Sequence, residues 1–160
     1  MIDQHLSITP VPKGRPRATK TGRIYTPSKT ADYERAISKM MSHHPAYLGP
    51  LALDVTFVLK RPVNTPKSKP HRFFKAGSRG DLDNYVKSLL DGLQRSGVVP
   101  NDAAVVQIVA SKVYAAIDEA SHIELKLWSL DQDQPSTISK ERQIARAREG
   151  QRSSHEHDQV

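Results

Sequence analysis

The sequence contains no cysteine, which excludes disulfide bonds, thiolate zinc sites and cysteine nucleophiles. Long apolar runs are also missing, and no stretch approaches the ~18 apolar residues that a membrane-spanning helix needs. The first residues do not combine a basic segment with an apolar core, as a secretory signal would. We therefore expect a soluble, cytoplasmic protein that does not enter a membrane.

Acidic residues are missing from two long segments that are rich in lysine and arginine. No Asp or Glu occurs from Val11 to Lys29 or from Val55 to Gly80, and the whole chain carries a formal net charge of +7. This balance favours a polyanionic partner, nucleic acid first and an anionic membrane surface second. For the first segment, the alternative is an ordinary solvated loop. The candidate phosphate contacts are Lys13, Arg15, Arg17, Lys20, Arg23, Lys67, Lys69, Arg72, Lys75 and Arg79.

Aromatic residues are few, and two of the three phenylalanines are adjacent in the second basic segment. Phe73-Phe74 could wedge between bases at a branch point of nucleic acid. A simpler interpretation, which we favour, is that the pair anchors its loop to the rest of the protein.

Hydrophobic periodicity predicts two helices and about four strands. The last two strands, joined across residues 118–121, are typical of an antiparallel hairpin with a longer loop. We expect an α+β domain over residues 1–130, with a small mixed or antiparallel sheet and two packed helices. Residues 131–160 are polar and nearly balanced in charge, which is typical of a disordered tail. The predicted strands are 5–12, 51–59, 105–114 and 123–128, and the predicted helices are 28–42 and 83 to about 97.

The second predicted helix carries polar residues beside its buried face. Val86, Leu89, Leu90 and Leu93 recur at helical spacing as one apolar stripe. Asp83 or Asn84 is expected to cap this helix. Asp83 and Lys87 fall on the flank of the stripe, where a side chain is fixed by packing and still reached by a substrate.

Asp81 and Asp83 are two residues apart, which places them on the same side of an extended segment. We therefore expect Asp81 to lie in extended chain just before the helix. Two converging carboxylates repel each other unless a cation lies between them, and Mg²⁺ accepts such oxygen ligands without His or Cys. The alternative is a helix cap with a solvated neighbour.

These residues together resemble the signature of the RusA family of Holliday junction resolvases. The resemblance spans roughly residues 5 to 130 and includes the Pro-Val-Pro-Lys-Gly-Arg-Pro-Arg segment that ends at Arg17. The family often has Pro where this chain has Gly80, and often has Asp where this chain has Asn101. The elements that match in order are Asp81-Leu82-Asp83-Asn84, Lys87, Asp91-Gly92-Leu93, Gly97 and Asn101-Asp102.

The resemblance implies a Mg²⁺-dependent endonuclease that resolves four-way DNA junctions by paired nicks during recombination and repair. By motif, the three aspartates that bind Mg²⁺ fall on Asp81, Asp83 and Asp102, and the assisting lysine falls on Lys87. Mn²⁺ is expected to substitute for Mg²⁺. The resemblance also points to a homodimer, for which we expect an exposed sheet edge, either the N-terminal strand or the 123–128 strand.

A non-catalytic module that binds branched DNA or RNA is the alternative function, and the basic segments would suffice for it. Three carboxylates inside a cationic surface argue against this alternative, because they repel phosphates unless a metal inverts the local charge.

Overall fold

The structure is a computed structural model that describes residues 1–15, 17–22, 24–25, 27–77 and 80–131. The predicted DNA contacts at Arg23 and Arg79 lie outside the described residues, as do the side chain of Arg17 and the predicted tail from residue 132 onward.

The described part of the chain contains two α-helices and a four-stranded mixed sheet, which confirms the predicted α+β class. A separate ribbon of two short antiparallel strands lies within the first basic segment, for which no regular structure was expected. No helix among the described residues has the length and apolar character needed to cross a membrane. In chain order the elements are β1 (Ile2–Leu6), β2 (Arg17–Ala18), β3 (Ile24–Tyr25), α1 (Ser28–Met41), β4 (Leu51–Leu59), α2 (Leu82–Ser96), a short 3-10 helix (Asp102–Ala104), β5 (Val105–Tyr114) and β6 (His122–Ser129).

The four strands of the main sheet lie in the order β1-β6-β4-β5. β4 pairs in parallel with β5, with Leu59 opposite Tyr114, and antiparallel with β6, with Leu53 opposite Leu127. Parallel neighbours need a crossover connection, and the stretch containing α2 provides it. β1 pairs antiparallel with the other side of β6.

The predicted hairpin between the last two strands is wrong, because β4 lies between β5 and β6. β4 is apolar at seven of its nine positions and buried along almost its whole length, which is typical of a central strand. The order also corrects the dimer prediction at the 123–128 strand, since β6 is an interior strand. β1 and β5 form the two edges of the main sheet.

The first strand ends earlier than predicted. It spans Ile2–Leu6 rather than residues 5–12, with Leu6 opposite Ile123. The two prolines Pro10 and Pro12 have no N–H to donate to a neighbouring strand, so the chain leaves the sheet before them. Ile8 and Val11 still pack against the core as part of the following segment.

The helices cover one face of the sheet. Ile37 of α1 and Leu89 and Leu93 of α2 are fully buried with Leu125 of β6. The contact between the helices is close at Gly92, where a Cβ atom would lie 2.7 Å from Cβ of Ile37. Glycine at this position therefore sets the separation of α1 and α2, and with it the position of the α2 N-terminus.

Candidate active site

Asp81 occupies the N-cap position of α2 in an extended conformation (φ −79°, ψ 147°), as predicted. Its carbonyl accepts hydrogen bonds from the backbone N–H groups of Asn84 (3.1 Å) and Tyr85 (3.4 Å). Its side chain makes no capping hydrogen bond. The prediction that Asp83 or Asn84 caps the helix is wrong, because α2 already begins at Leu82. The exposed carboxylate of Asp81 is therefore not used to cap the N-terminus of the helix.

Gly80 forms the corner through which the second basic segment enters α2. Its backbone is left-handed (φ +88°), a conformation that favours glycine. A Cβ atom here would lie 2.9 Å from Cγ of Pro12. The Lys112 ammonium group donates to the Gly80 carbonyl at 2.5 Å. Proline, which the family often has at this position, cannot adopt such a φ angle. The backbone conformation at Gly80 is therefore one that a proline at this position could not have.

Asp83 and Lys87 lie one helical turn apart on α2, and both side chains are exposed. Asp83 is in the first turn, where the helix dipole favours a negative charge. Lys87 forms no salt bridge with any residue that the structure describes. Asp91, the possible partner one turn further on, instead binds the ammonium group of Lys13 at 2.5 Å. An ion pair on the helix surface therefore does not explain why a lysine occupies position 87.

Asp102 begins the short 3-10 helix immediately before β5, as expected for a residue at a strand entrance. The side chain of Asn101 accepts a hydrogen bond from the backbone N–H of Ala104 at 3.0 Å. This capping bond gives Asn101 a structural role at the position where the family often has Asp. Asp102 itself is exposed, and the short helix contacts α2.

Asp81, Asp83 and Asp102 are exposed and make no salt bridge within the described part of the chain. Within that part, no group of three His, Asp or Glu side chains is placed so that it could by itself hold a metal ion. The donor chemistry nevertheless fits Mg²⁺, which is commonly held by one or two carboxylates together with water and substrate phosphates rather than by a protein cage. The residues thus suit an open site that substrate would complete.

Comparison with known proteins decides the family. A model described as "Endodeoxyribonuclease RusA" matches residues 7–127, which include α2, Asp81, Asp83, Lys87 and Asp102. The chain belongs to the RusA family. It is therefore a nuclease of the hydrolase class. It is 29% identical over 111 residues to a crossover junction endodeoxyribonuclease RusA from Aquifex aeolicus (strain VF5), covering 67% of this chain and 76% of that relative.

Lys13, in the Pro-rich segment of this RusA family member, is bound to two carboxylates. Its ammonium group lies 2.5 Å from Glu34 of α1 and 2.5 Å from Asp91 of α2. Burial lowers the pKa of Lys13, but the hydrogen bonds to Asp91 and Glu34 outweigh burial and raise the pKa overall. Its backbone N–H also donates to Asn84 at 2.8 Å. Lys13 thus joins the two helices, and its charge is already compensated.

Arg72 in the second basic segment is likewise bound to carboxylates. Its guanidinium group binds Glu119 at 2.5 Å and Glu124 of β6 at 2.7 Å. The hydrogen bonds to Glu119 and then Glu124 raise the pKa of Arg72. The hydrogen bond from Arg72 is the main cause that lowers the pKa of Glu124 to about 2. These contacts hold the basic segment against the sheet.

The same segment is held by Arg61 and Phe73, of which Arg61 was not predicted. Arg61 donates to the carbonyls of Lys69 (2.5 Å) and Ala115 (3.2 Å), and its guanidinium carbon lies 5.5 Å from the Phe73 ring centroid. Phe73 forms a β-bridge with Tyr114. The neighbouring Phe74 is 77% exposed. Phe73 therefore anchors its loop, whereas Phe74 does not.

The remaining predicted DNA contacts that the structure describes with side chains are exposed. They are Arg15, Lys20, Lys67, Lys69 and Lys75. Of these, Arg15, Lys20, Lys67 and Lys69 form no salt bridge with a described residue, so their charges face solvent. Lys29, the last cation of the first basic segment, and Lys60, which was not among the predicted contacts, are also exposed. Lys60 has no sequence signal of its own, and only its position in the fold distinguishes it.

Proposed function

We propose that this RusA family nuclease resolves four-way DNA junctions by paired nicks and depends on a divalent metal ion, Mg²⁺ or Mn²⁺. The observation that carries the proposal is the set of exposed aspartates at the start of α2 and of β5, in a chain whose two basic segments contain no acidic residue. The name of the Aquifex aeolicus relative, a crossover junction endodeoxyribonuclease, supports the choice of substrate.

Asp81, Asp83 and Asp102 are the residues that would hold the metal ion. When bound, such an ion polarises a phosphate and lowers the pKa of a coordinated water. The three carboxylates themselves supply oxygen ligands and leave room for a DNA phosphate, because all three face solvent. The same carboxylates would repel DNA without the ion, so metal and substrate bind cooperatively in this proposal.

Lys87 would contact the scissile phosphate or orient the attacking water. Its side chain is on the same flank of α2 as Asp83, one turn further along, and is not engaged with a described acidic residue. A fixed cation at this position favours the charge that develops on a phosphate during cleavage.

A homodimer would place two such sites on one junction, so that both nicks are made before the enzyme leaves. We propose the β5 edge as the contact surface, in preference to β1. β5 exposes three branched apolar side chains: Val106 is 62% exposed, Ile108 42% and Val109 55%. An isologous contact between two copies of such an edge would remove these side chains from water.

The direct test uses a synthetic four-way junction and a linear duplex of the same sequence. We expect nicking of the junction only when Mg²⁺ or Mn²⁺ is present, and little nicking of the duplex. The alternative of a non-catalytic binding module is not retained, because the family is one of endodeoxyribonucleases.

A further inference from the structure

A cleft of about 370 Å³ lies beside the Gly80 corner. Four parts of the chain form it: the segment that follows β1, the start of α1, the end of β4 and the first turn of α2. Its volume is within the range of about 300–1,000 Å³ that is usual for ligand clefts. None of its lining residues has been given a role in the proposed cleavage.

The cleft is bounded by residues that contact Gly80, which precedes the aspartate site. Pro12 and Tyr85 line the cleft. The same two residues meet at Gly80, where a Cβ atom would lie 2.9 Å from Pro12 and 3.5 Å from the Tyr85 ring. Because Gly80 directly precedes Asp81, the cleft lies close to the first residue of the aspartate site.

Among the described residues, only positive charges line the cleft, and these belong to Lys29 and Lys60. The rest of this lining is mostly apolar, with buried Leu59 and Tyr85. Neither lysine forms a salt bridge or side-chain hydrogen bond with a residue that the structure describes. Their neighbours differ in this respect, since Lys13 is bound by two carboxylates and Arg61 by backbone carbonyls.

We propose that this cleft is a subsite for the DNA backbone next to the cleaved bond, in which Lys29 and Lys60 each contact one phosphate. The proposal rests on the proposed junction nuclease function and adds two contacts to it. A lysine ammonium group binds phosphate as a point charge, and such contacts fix the position of the strand without reading its sequence. The apolar floor suits the deoxyribose between two phosphates.

The salt dependence of binding is the property that separates a phosphate contact from a distant surface charge. Each phosphate contact contributes about 0.9 to the slope of log K against log salt concentration. Loss of both lysines should therefore reduce the magnitude of that slope by about 2. A lysine that only adds to the general positive field should change the slope much less.

The experiment measures binding of a synthetic four-way junction in EDTA, over a range of salt concentrations, for Lys29→Ala/Lys60→Ala. The control, Lys39→Ala/Lys126→Ala, removes the same charge. Lys39 lies ten residues after Lys29 in α1, about 15 Å along the helix axis. Lys126 lies on β6 between Leu125 and Leu127, which face the helices, so it projects from the opposite face of the sheet.

We expect the cleft variant to bind at least about tenfold more weakly near physiological salt, with the flatter slope, and the control to resemble the wild type. Lys29→Arg/Lys60→Arg should restore the slope. Equal slopes for the cleft variant and the control would overturn the subsite. If the wild type binds and cleaves the junction while the cleft variant keeps the wild-type slope, only the subsite is wrong. If the wild type does not cleave any junction, the proposed function is wrong.

Discussion

At the scale of single residues, the start of α2 determines which side chains are available for chemistry. Leu82 is the first helical residue, so Asp81 remains in extended chain and Asp83 falls in the first turn. Both carboxylates point to solvent rather than serving the helix backbone. The capping pattern predicted a helix that begins two residues later. In such a helix the Asp83 carboxylate would cap the backbone and would not be available for chemistry.

Lys87→Ala tests whether this lysine acts on the substrate. We expect cleavage of a junction to fall by about 10²–10³, the usual loss when one fixed group that stabilises charge in the transition state is removed. Thermal unfolding should be almost unchanged, because Lys87 is exposed. Gln94→Ala, another exposed position of α2, is the matched control. Full cleavage activity in Lys87→Ala would reject the catalytic role.

At the scale of elements, the separation of the two helices depends on Gly92. The methyl group added by Gly92→Ala meets Ile37, which should cost about 1–3 kcal/mol. The higher helix propensity of alanine offsets about 1 kcal/mol of this cost, so we expect the free energy of unfolding to fall by up to about 2 kcal/mol. Urea denaturation measures the effect. A variant that is more stable than the wild type would show that the helices are not in close contact at this point.

The contact between Arg72 and Glu124 should depend on pH. Because Arg72 lowers the pKa of Glu124 from 4.5 to about 2, this contact stabilises the fold above pH 4.5 and is lost as the pH falls towards 2. Since Glu124 is 43% exposed, the effect should be small. Glu124→Gln should therefore be less stable than the wild type near neutral pH and about equally stable near pH 2, as measured by urea denaturation.

The control for this pH dependence is Asp118→Asn, which changes an exposed carboxylate that has no salt bridge with a described residue. We expect its stability to follow that of the wild type at every pH. A constant difference between Glu124→Gln and the wild type down to pH 2 would contradict the assignment of the contact.

Much of the fold follows from local patterns in the sequence. Helix α1 was predicted over 28–42 and spans Ser28–Met41, and β4 has the predicted bounds, because the periods of helix and strand are clear in both. The order of the strands in the sheet could not be predicted from these local patterns. Turn length favours a hairpin between β5 and β6, but burial of β4 on both faces places it between them.

Candidate site residues were predictable only where a motif contains them. Asp81, Asp83, Lys87 and Asp102 stand in one short motif. The pairing of Lys13 was not predictable, because its partners Glu34 and Asp91 are 21 and 78 residues away along the chain. Long-range ion pairs of this kind decide which cations remain available for DNA, and composition alone cannot separate Lys13 from Lys60.

At the scale of the whole molecule, the proposed homodimer would bring two sites to one junction, so that neither nick depends on release and rebinding. We expect sedimentation to give twice the monomer mass of 17.8 kDa at the concentrations where junctions are resolved. Val109→Lys should yield a folded monomer, since a lysine on a sheet edge opposes edge-to-edge pairing. Val63→Lys, at a position that is 95% exposed outside the sheet, should remain dimeric.

Wild-type monomers that resolve junctions completely would contradict the dimer. A Val109→Lys variant that stays dimeric would instead place the contact on another surface, of which the β1 edge is the next candidate.

The central claim is that the aspartates at the start of α2 bind the metal used for junction cleavage. The most direct measurement compares binding and cleavage of a four-way junction by the wild type and by Asp83→Asn, with and without Mg²⁺. We predict that Asp83→Asn loses cleavage and still binds the junction, at least as tightly as the wild type, because the substitution removes repulsion of phosphates and leaves the basic segments intact. Cleavage that persists in Asp83→Asn, or loss of binding with cleavage retained, would contradict the account.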